Sequence, residues 1–144
     1  SNVERVVRAC AVPILVTSRA FKPIENFLIA FDGGTSSLKA VKMVADSTLF
    51  KGLNAHVVTI GQDDAETKRK IEGAAASLSK AGYAPETQIT QGAPEVVISE
   101  RTEDGSIDML VMGAYGHSRI RSLIIGSTTT AMIRSCQVPL LLFR

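Results

Sequence analysis

Long apolar runs and dense clusters of charge are both missing from this sequence of 144 residues. No apolar run approaches the ~20 residues that a membrane-spanning helix requires, and no signal peptide is recognisable near the first residue. The formal net charge of +2 comes from residues scattered along the chain, among them Arg119 and Arg121. Because nucleic-acid backbones are bound by larger basic patches, we expect no DNA or RNA binding. We also expect no membrane association and, by default, a cytoplasmic protein.

Cysteine and aromatic residues are scarce as well. The two cysteines, Cys10 and Cys136, are too few and too far apart in sequence for a metal site or a disulfide framework, so we predict two buried thiols. Aromatic residues make up 5% of the chain and tryptophan is absent, whereas 45% of the residues are hydrophobic. A chain of this length and composition is typical of one globular domain with an aliphatic core.

A short segment occurs twice, once near each end of the sequence. VVRACAVPILV begins at Val6 and MIRSCQVPLLL begins at Met132, and the two copies share an arginine, a cysteine and a Val-Pro pair at equivalent positions. The second copy reads as a helix end and a proline-led apolar strand that close a folding unit, so the first copy is predicted to close a preceding unit. We therefore divide the chain into residues 1–18, the closing helix and strand of a preceding repeat, and residues 19–144, a complete domain. The chain would then be the second half of a tandem protein.

Between these copies, apolar runs of strand length alternate with segments whose apolar residues recur at helical spacing. The near-continuous apolar run at 55–60 is typical of a parallel strand covered on both faces. This order predicts an α/β fold with an open, mostly parallel five-stranded sheet and helices on both faces, similar to a Rossmann fold. The predicted strands cover residues 26–32, 55–60, 86–91, 108–112 and 138–143, and the predicted helices cover about 35–51, 64–81, 94–103 and 126–135.

The ends of two predicted strands carry residues suited to ligand binding. Asp32 follows the first strand of the domain, and Gly113 follows the fourth. In open parallel sheets, ligands bind beyond the carboxyl ends of the strands, at the point where the strand order reverses. We therefore expect these two distant parts of the chain to meet at one crevice.

Glycines and hydroxyls are concentrated in GAYGHSRIRSLIIGST, which begins at Gly113. Gly116 follows three residues later, nine residues then precede Gly126, and the hydroxyls of 127–130 come directly after it. Glycines let a backbone approach a ligand closely, and a helix that begins in Gly-Ser-Thr offers free N–H groups and a positive dipole end to phosphate. The stretch therefore predicts a nucleotide-binding loop.

Asp32 after the first strand, together with Gly113-x-x-Gly116, nine residues and Gly126-Ser127, resembles the ATP-binding subset of the universal stress protein family. The resemblance covers residues 27–144, and the repeated closing segment resembles the tandem members of that family. It implies the family's fold, a stress-response role, and ATP as the ligand with Mg²⁺ as an optional companion. The lysine of a Walker P-loop has no counterpart, so the resemblance does not extend to ordinary ATPases.

The resemblance also implies which residues contact the nucleotide. The acidic residue after the first strand would hold the adenosine end, with its two preceding neighbours lining the site, and the end of the second strand would contact adenine. The Gly-x-x-Gly turn would lie against the ribose and the α-phosphate, and the Gly-Ser helix start would take the outer phosphates. The nucleotide-binding residues that the resemblance implies are Ala30, Phe31, Asp32, Ile60, Met112, Gly113, Gly116, Gly126, Ser127 and Thr128. His117 and Arg119 lie between the glycines and are further candidates for contact with the outer phosphates, independently of the resemblance.

Each of these residues also has a simpler interpretation. Asp32 before two glycines could be a turn residue whose carboxylate accepts hydrogen bonds from local N–H groups. The glycines could only shape a loop, and the hydroxyls after Gly126 could only cap a helix. His117 and Arg119 could contact the outer phosphates or lie in a solvated loop, and the sequence favours neither interpretation.

The function that we expect is that of a binding module whose nucleotide occupancy is read by a partner or by a tandem domain. Two alternatives stay open: a slow ATPase or autophosphorylating enzyme, and a structural dimerisation domain without a functional nucleotide. We assign no catalytic residue, because no placed base or metal-holding pair of carboxylates is recognisable. The closing strands are expected to pair antiparallel, within the chain or across a homodimer, through Val12, Val16, Leu140 and Phe143.

Overall fold

Strands and helices alternate through the part of the chain that this computed structural model describes, residues 2–18, 20–113 and 136–143. No helix within these ranges is long and apolar enough to cross a membrane. The predicted helix at 126–135 lies outside the described residues. In chain order, the elements are α1 Asn2–Ala9, β1 Ile14–Val16, β2 Asn26–Ala30, α2 Thr35–Asp46, β3 Asn54–Ile60, α3 Ala65–Lys80, β4 Glu86–Thr90, α4 Pro94–Glu103, β5 Met109–Gly113 and β6 Leu140–Phe143.

The strands form one sheet of six in the order β1-β6-β5-β2-β3-β4. Strands β2 to β6 run parallel to one another, as predicted, whereas β1 lies antiparallel to β6 at one edge. The α/β fold with a mostly parallel sheet is therefore confirmed. The predicted count of five strands is corrected to six, because β1 joins the same sheet as the domain that follows it.

The two apolar segments near the ends of the chain pair with each other within the chain. β1 and β6 are antiparallel, with Val16 opposite Leu140. The predicted pairing is present, but it has narrower limits than we expected. Val12 precedes β1 and is 65% exposed, and Phe143 has its register partner in β5 instead.

Alternate residues of the central strand β2 point to opposite faces of the sheet, where different helices cover them. Phe27 and Ile29 pack with buried side chains of α2 and α3, and Leu28 and Ala30 pack with those of α1 and α4. All four side chains are at most 5% exposed. A strand that is buried on both faces has to be apolar throughout, which explains the uninterrupted apolar run in the sequence. The prediction of helices on both faces is confirmed.

Helix α2 ends earlier than the sequence pattern predicts. Apolar residues at helical spacing continue as far as Leu49, and Gly52 was the predicted stop, but α2 ends at Asp46. Ser47 has extended backbone angles that terminate the helix, and Leu49 is 82% exposed in the turn that follows. Gly52 has a φ of +85°, a conformation that glycine adopts readily, so Gly52 belongs to this later turn rather than to the helix end.

Asp108 connects the start of β5 to the start of β2, at the amino edge of the sheet. Its Oδ2 accepts hydrogen bonds from the backbone N–H groups of Glu25 and Asn26, each at 3.0 Å, and its Oδ1 lies 3.0 Å from Lys22 Nζ. Burial by itself raises the pKa of this carboxyl group, but the two backbone donors and Lys22 together outweigh burial and hold the pKa below its usual value. The folded chain therefore favours the charged form of Asp108.

Replacing this carboxylate should make the protein less stable, and the loss should depend on pH. Asp108→Asn removes the charge that strengthens the hydrogen bonds, so we expect the free energy of unfolding at neutral pH to fall by about 1 to 3 kcal/mol. Folding lowers the pKa of Asp108, so its contribution is complete above the unfolded value of about 3.9 and is lost as the pH falls through the folded value. Urea unfolding at a series of pH values should show the two proteins converging in acid.

A stability gap that stays constant as the pH falls would contradict this assignment. The matched control is Asp46→Asn, because the Asp46 carboxylate pairs with Lys42 at 2.8 Å on the exposed surface of α2. Since exposed pairs of this kind contribute little, the control should change stability by less than about 0.5 kcal/mol.

Candidate functional site

The strand order reverses between β2 and β5. From β2, the chain continues to β3 and β4 on one side of the sheet, and then crosses to β5 and β6 on the other side. Ala30 of β2 lies opposite Met112 of β5, so the two strands end side by side. Asp32 and Gly113 therefore lie at the carboxyl edge of adjacent strands, at the position where open α/β sheets bind ligands.

The Asp32 carboxylate is held against the first turn of α2. Its Oδ1 accepts hydrogen bonds from the Gly34 N–H at 2.8 Å and from the Ser37 hydroxyl at 2.7 Å. Gly34 is the N-cap residue of α2 and has no side chain that could cap the helix, so Asp32 supplies the negative charge beside the positive end of the helix dipole. The turn interpretation of Asp32 is borne out by these two bonds, and they also fix the orientation of the carboxylate.

Gly33 forms the corner between β2 and α2. Its φ is +78°, a conformation that glycine adopts readily and other residues rarely do. A Cβ atom at this position would lie 2.8 Å from Cδ of Lys70, so the aliphatic part of this α3 side chain covers the corner. The Lys70 Nζ lies 3.2 Å from Oε1 of Glu66. Helix α3 therefore contributes a side chain to the corner at Gly33, the residue that follows Asp32.

Gly113 brings the end of β5 into direct contact with the start of α2. A Cβ atom on Gly113 would lie 2.6 Å from Cβ of Ser36 and 3.1 Å from the backbone nitrogen of Ser37. The first of these distances is shorter than any real contact between carbon atoms. Packing within the chain therefore requires glycine at this position, in addition to any contact with a ligand.

Other predicted site residues reach this edge mainly through their backbone. Ala30, Phe31 and Met112 are 5%, 1% and 1% exposed, and their side chains belong to the core. The Phe31 N–H donates to a β3 carbonyl at 2.8 Å, and its own carbonyl accepts a hydrogen bond from the Thr59 hydroxyl at 2.8 Å. Ile60, at the end of β3, is half-buried.

Two contacts at this edge could not be assigned from the sequence. Thr59 interrupts an apolar strand, and this single hydroxyl was the one signal that a polar contact lay there. Lys70 gave no comparable signal, because its contact with Gly33 joins helix α3 to a corner far away in the sequence.

The second half of the predicted site lies outside the described residues. Among the residues that the structure does describe, no group of three or more His, Cys, Asp or Glu side chains is arranged to hold a metal ion. The contacts of the outer residues therefore stay predictions from the sequence. These residues are Gly116, His117, Arg119, Gly126, Ser127 and Thr128.

The fold and this edge define a doubly wound α/β protein with its ligand position at the point where the strand order reverses. The model of the universal stress protein family matches residues 23–144. The chain therefore belongs to the universal stress protein family. The resemblance identified from Asp32 and the glycine spacing is confirmed at the level of the family.

A curated relative supports this assignment over the whole chain. Universal stress protein Slr1230 from Synechocystis is 40% identical over 146 residues, which cover 100% of this chain and 51% of the relative. The chain spans about half the length of the curated relatives that it matches.

Solved structures share the fold at lower sequence identity. A universal stress protein from Archaeoglobus fulgidus aligns with a TM-score of 0.75 at 19% identity, covering 96% of this chain and 52% of that one. A universal stress protein in complex with cAMP aligns with a TM-score of 0.67 at 22% identity, covering 85% of this chain and 98% of that one. Identities this low establish the common fold and no more.

Two further family structures contain a bound nucleotide. A universal stress protein from Archaeoglobus fulgidus in complex with dAMP aligns with a TM-score of 0.62 at 14% identity, covering 86% of this chain and 100% of that one. A family protein from Arabidopsis thaliana with AMP bound aligns with a TM-score of 0.58 at 14% identity, covering 82% of this chain and 89% of that one.

The contact between β5 and α2 predicts the effect of adding one methyl group. Gly113→Ala should lower the free energy of unfolding by about 1 to 3 kcal/mol, because the new Cβ atom overlaps Ser36 and forces the backbone to shift. Urea unfolding without any nucleotide measures this effect. The control is Gly61→Ala, directly after β3, where a Cβ atom would meet no atom of the described residues within 4 Å. Equal stability of the two variants would refute a packing role for Gly113.

Proposed function

We propose that this chain is an adenine-nucleotide-binding regulatory module with ATP as its ligand. The observation that carries the proposal is the edge where β2 and β5 end side by side, with the Asp32 carboxylate fixed against α2 where the strand order reverses. The family structures with cAMP, dAMP and AMP support an adenine nucleotide. The Gly126-Ser127-Thr128 sequence favours ATP, because backbone N–H groups and hydroxyls suit the outer phosphates.

The described residues fit the adenosine end of such a ligand. Asp32 is partly exposed, so its carboxylate can accept a hydrogen bond from a ribose hydroxyl. Half-buried Ile60 offers an apolar neighbour for an adenine ring at the next strand end. Ala30 and Met112 would support this surface from beneath. The proposed phosphate side, with Mg²⁺ as a companion of the triphosphate, consists of Gly113, Gly116, His117, Arg119, Gly126, Ser127 and Thr128.

The start of α2 is the element through which occupancy would be communicated. Asp32 holds this turn by two hydrogen bonds, and Gly113 packs against it from β5. A nucleotide held between the two strand ends would therefore change the constraints on α2. A partner protein or a tandem domain that contacts α2 would then read the nucleotide state.

We also propose that residues 1–18 are the closing helix and strand of a preceding repeat. Leu15 of β1 lies opposite Leu141 of β6, and these two leucines occupy the same position in the repeated segment. Ile14 lies opposite Leu142, the counterpart of Val16, and Val16 lies opposite Leu140, the counterpart of Ile14. A strand that pairs with its own repeat in this register is the arrangement that a local two-fold axis generates. This self-complementary register supports the tandem organisation.

The tandem proposal predicts the size of the protein in its source organism. The intact mass of the protein isolated from its source should be about twice the 15.4 kDa of this chain, because a second unit of similar size would precede it. Mass spectrometry of the protein captured with an antibody against α3 measures this quantity. An intact mass close to that of the present chain would exclude the proposal.

The nucleotide proposal predicts different effects for the two roles of Asp32. In Asp32→Asn, the amide oxygen can still accept from Gly34 and Ser37, so stability should stay within about 1 kcal/mol of the wild type. ATP affinity should fall about tenfold or more, because the hydrogen bond to the nucleotide loses its charge. Isothermal titration calorimetry with ATP, ADP and AMP measures the affinities, and urea unfolding measures the stability.

The control for this experiment is Asp104→Asn. The Asp104 Oδ1 also accepts a backbone hydrogen bond, from the Ser106 N–H at 2.8 Å, but in an exposed turn after α4. This variant should bind ATP as the wild type does. Equal loss of affinity in both variants would leave Asp32 as a turn residue only, and a wild-type chain that binds no adenine nucleotide would end the proposal.

A further inference from the structure

A groove of about 550 Å³ lies between α2 and α3. Its walls extend from Leu38 to Asp46 on α2 and from Arg69 to Lys80 on α3. At a rise of 1.5 Å per residue, these walls are roughly 12 to 16 Å long, which is about two to three turns of an α-helix. The groove is therefore long enough for a helical segment of another protein.

Positive charge is concentrated along the walls of the groove. Lys42, Arg69, Lys70 and Lys80 line it, and Asp46 is the carboxylate among its lining residues. Asp46 pairs with Lys42 at 2.8 Å, and Lys70 pairs with Glu66 of the same helix at 3.2 Å. Arg69 and Lys80 therefore carry the excess positive charge of the groove. The whole chain has a formal net charge of only +2, so this excess of cations is a local property of the groove. Charge complementarity therefore calls for an acidic occupant.

The floor of the groove is apolar, and one glycine leaves additional space in it. Leu38 is 52% exposed there, and Val41 and Ala74 lie beneath it. Gly73 lies in the middle of α3, where glycine destabilises a helix relative to alanine. Among the described residues, a Cβ atom at Gly73 would meet nothing within 4 Å, and the φ of Gly73 is not positive. Neither packing against these residues nor backbone geometry therefore requires glycine at this position. What the missing side chain provides is room inside the groove.

We propose that this groove is a docking site for an acidic amphipathic helix of a partner protein. Apolar side chains of that helix lie on Leu38 and in the space above Gly73, and its carboxylates face the cations of the two walls. This arrangement is the helix-in-groove type of recognition. The proposal does not depend on nucleotide binding, because none of the residues that line the groove is among the residues proposed to contact the nucleotide.

A designed peptide tests the proposal directly. The probe is a fluorescein-labelled peptide of three helical turns with leucines along one face and glutamates along both flanks, and fluorescence anisotropy measures its affinity. Gly73→Leu should fill the groove and weaken binding about tenfold or more, which corresponds to about 1.4 kcal/mol of binding free energy. The same variant should unfold at a higher temperature than the wild type, because leucine is the better helix former. A loss of binding thus cannot be attributed to unfolding.

Charge reversal on α3 and on α2 provides the matched comparison. Lys80→Glu should also weaken the peptide about tenfold, whereas Lys39→Glu, an exposed lysine of α2 that does not line the groove, should change the affinity less than about twofold. Equal effects of the two reversals would overturn the proposal, as would an unchanged affinity of Gly73→Leu. A third outcome would also overturn the proposal: the protein binds phosphatidylserine vesicles, this binding depends on Lys80, and the peptide does not bind. The groove would then recognise a membrane surface.

Discussion

The close contact between Gly113 and the first turn of α2 is the constraint on which the arrangement of the carboxyl edge depends. One methyl group at Gly113 would overlap Ser36, so β5 and α2 lie too close together to admit a Cβ atom on Gly113. On the other side of the same turn, the Asp32 carboxylate accepts hydrogen bonds from Gly34 and Ser37. The ends of β2 and β5 are therefore both fixed to a single helical turn, and a ligand beyond these strand ends would meet a surface that is already organised.

The two edges of the sheet each use one aspartate, with different consequences. At the amino edge, Asp108 is 6% exposed and satisfies the backbone of the segment that leads into β2. At the carboxyl edge, Asp32 accepts the hydrogen bonds of Gly34 and Ser37 in the turn, and it is partly exposed. Burial makes the first carboxylate a determinant of stability. Partial exposure allows the second carboxylate to combine a structural contact with recognition of another molecule.

The sequence was most informative where a residue's structure depends on its near neighbours. Helix α3 was predicted at 64–81 and is observed at Ala65–Lys80, because Asp64 at its start and Gly82 after its end are local signals. The apolar run of β2 and the parallel sheet were likewise predictable, since burial on both faces leaves no polar position. The predicted length of α2 was wrong, because Leu49 continues the helical spacing of apolar residues although it is exposed in a turn.

Contacts between distant segments were not predictable in the same way. The stem of Lys70 on Gly33, the hydroxyl of Thr59 on the Phe31 carbonyl, and the overlap of Gly113 with Ser36 each join different elements. Composition and periodicity describe one element at a time, so they cannot show which side chain of α3 covers a corner after β2. The position of Asp32 was predictable, but the geometry that holds its carboxylate became visible only in the folded chain.

The register of β1 on β6 has a consequence for how such an interface can change. Leu15 faces Leu141, its own counterpart in the repeated segment, while the flanking residues pair crosswise. A strand that recognises a copy of itself needs no second, separately optimised sequence as its partner. Duplication of one coding segment would therefore supply both sides of the contact at once. The two copies can change most freely at the flanking positions, where a side chain faces a residue from another position of the repeat. They are most constrained at the central leucine, where Leu15 faces its own counterpart Leu141.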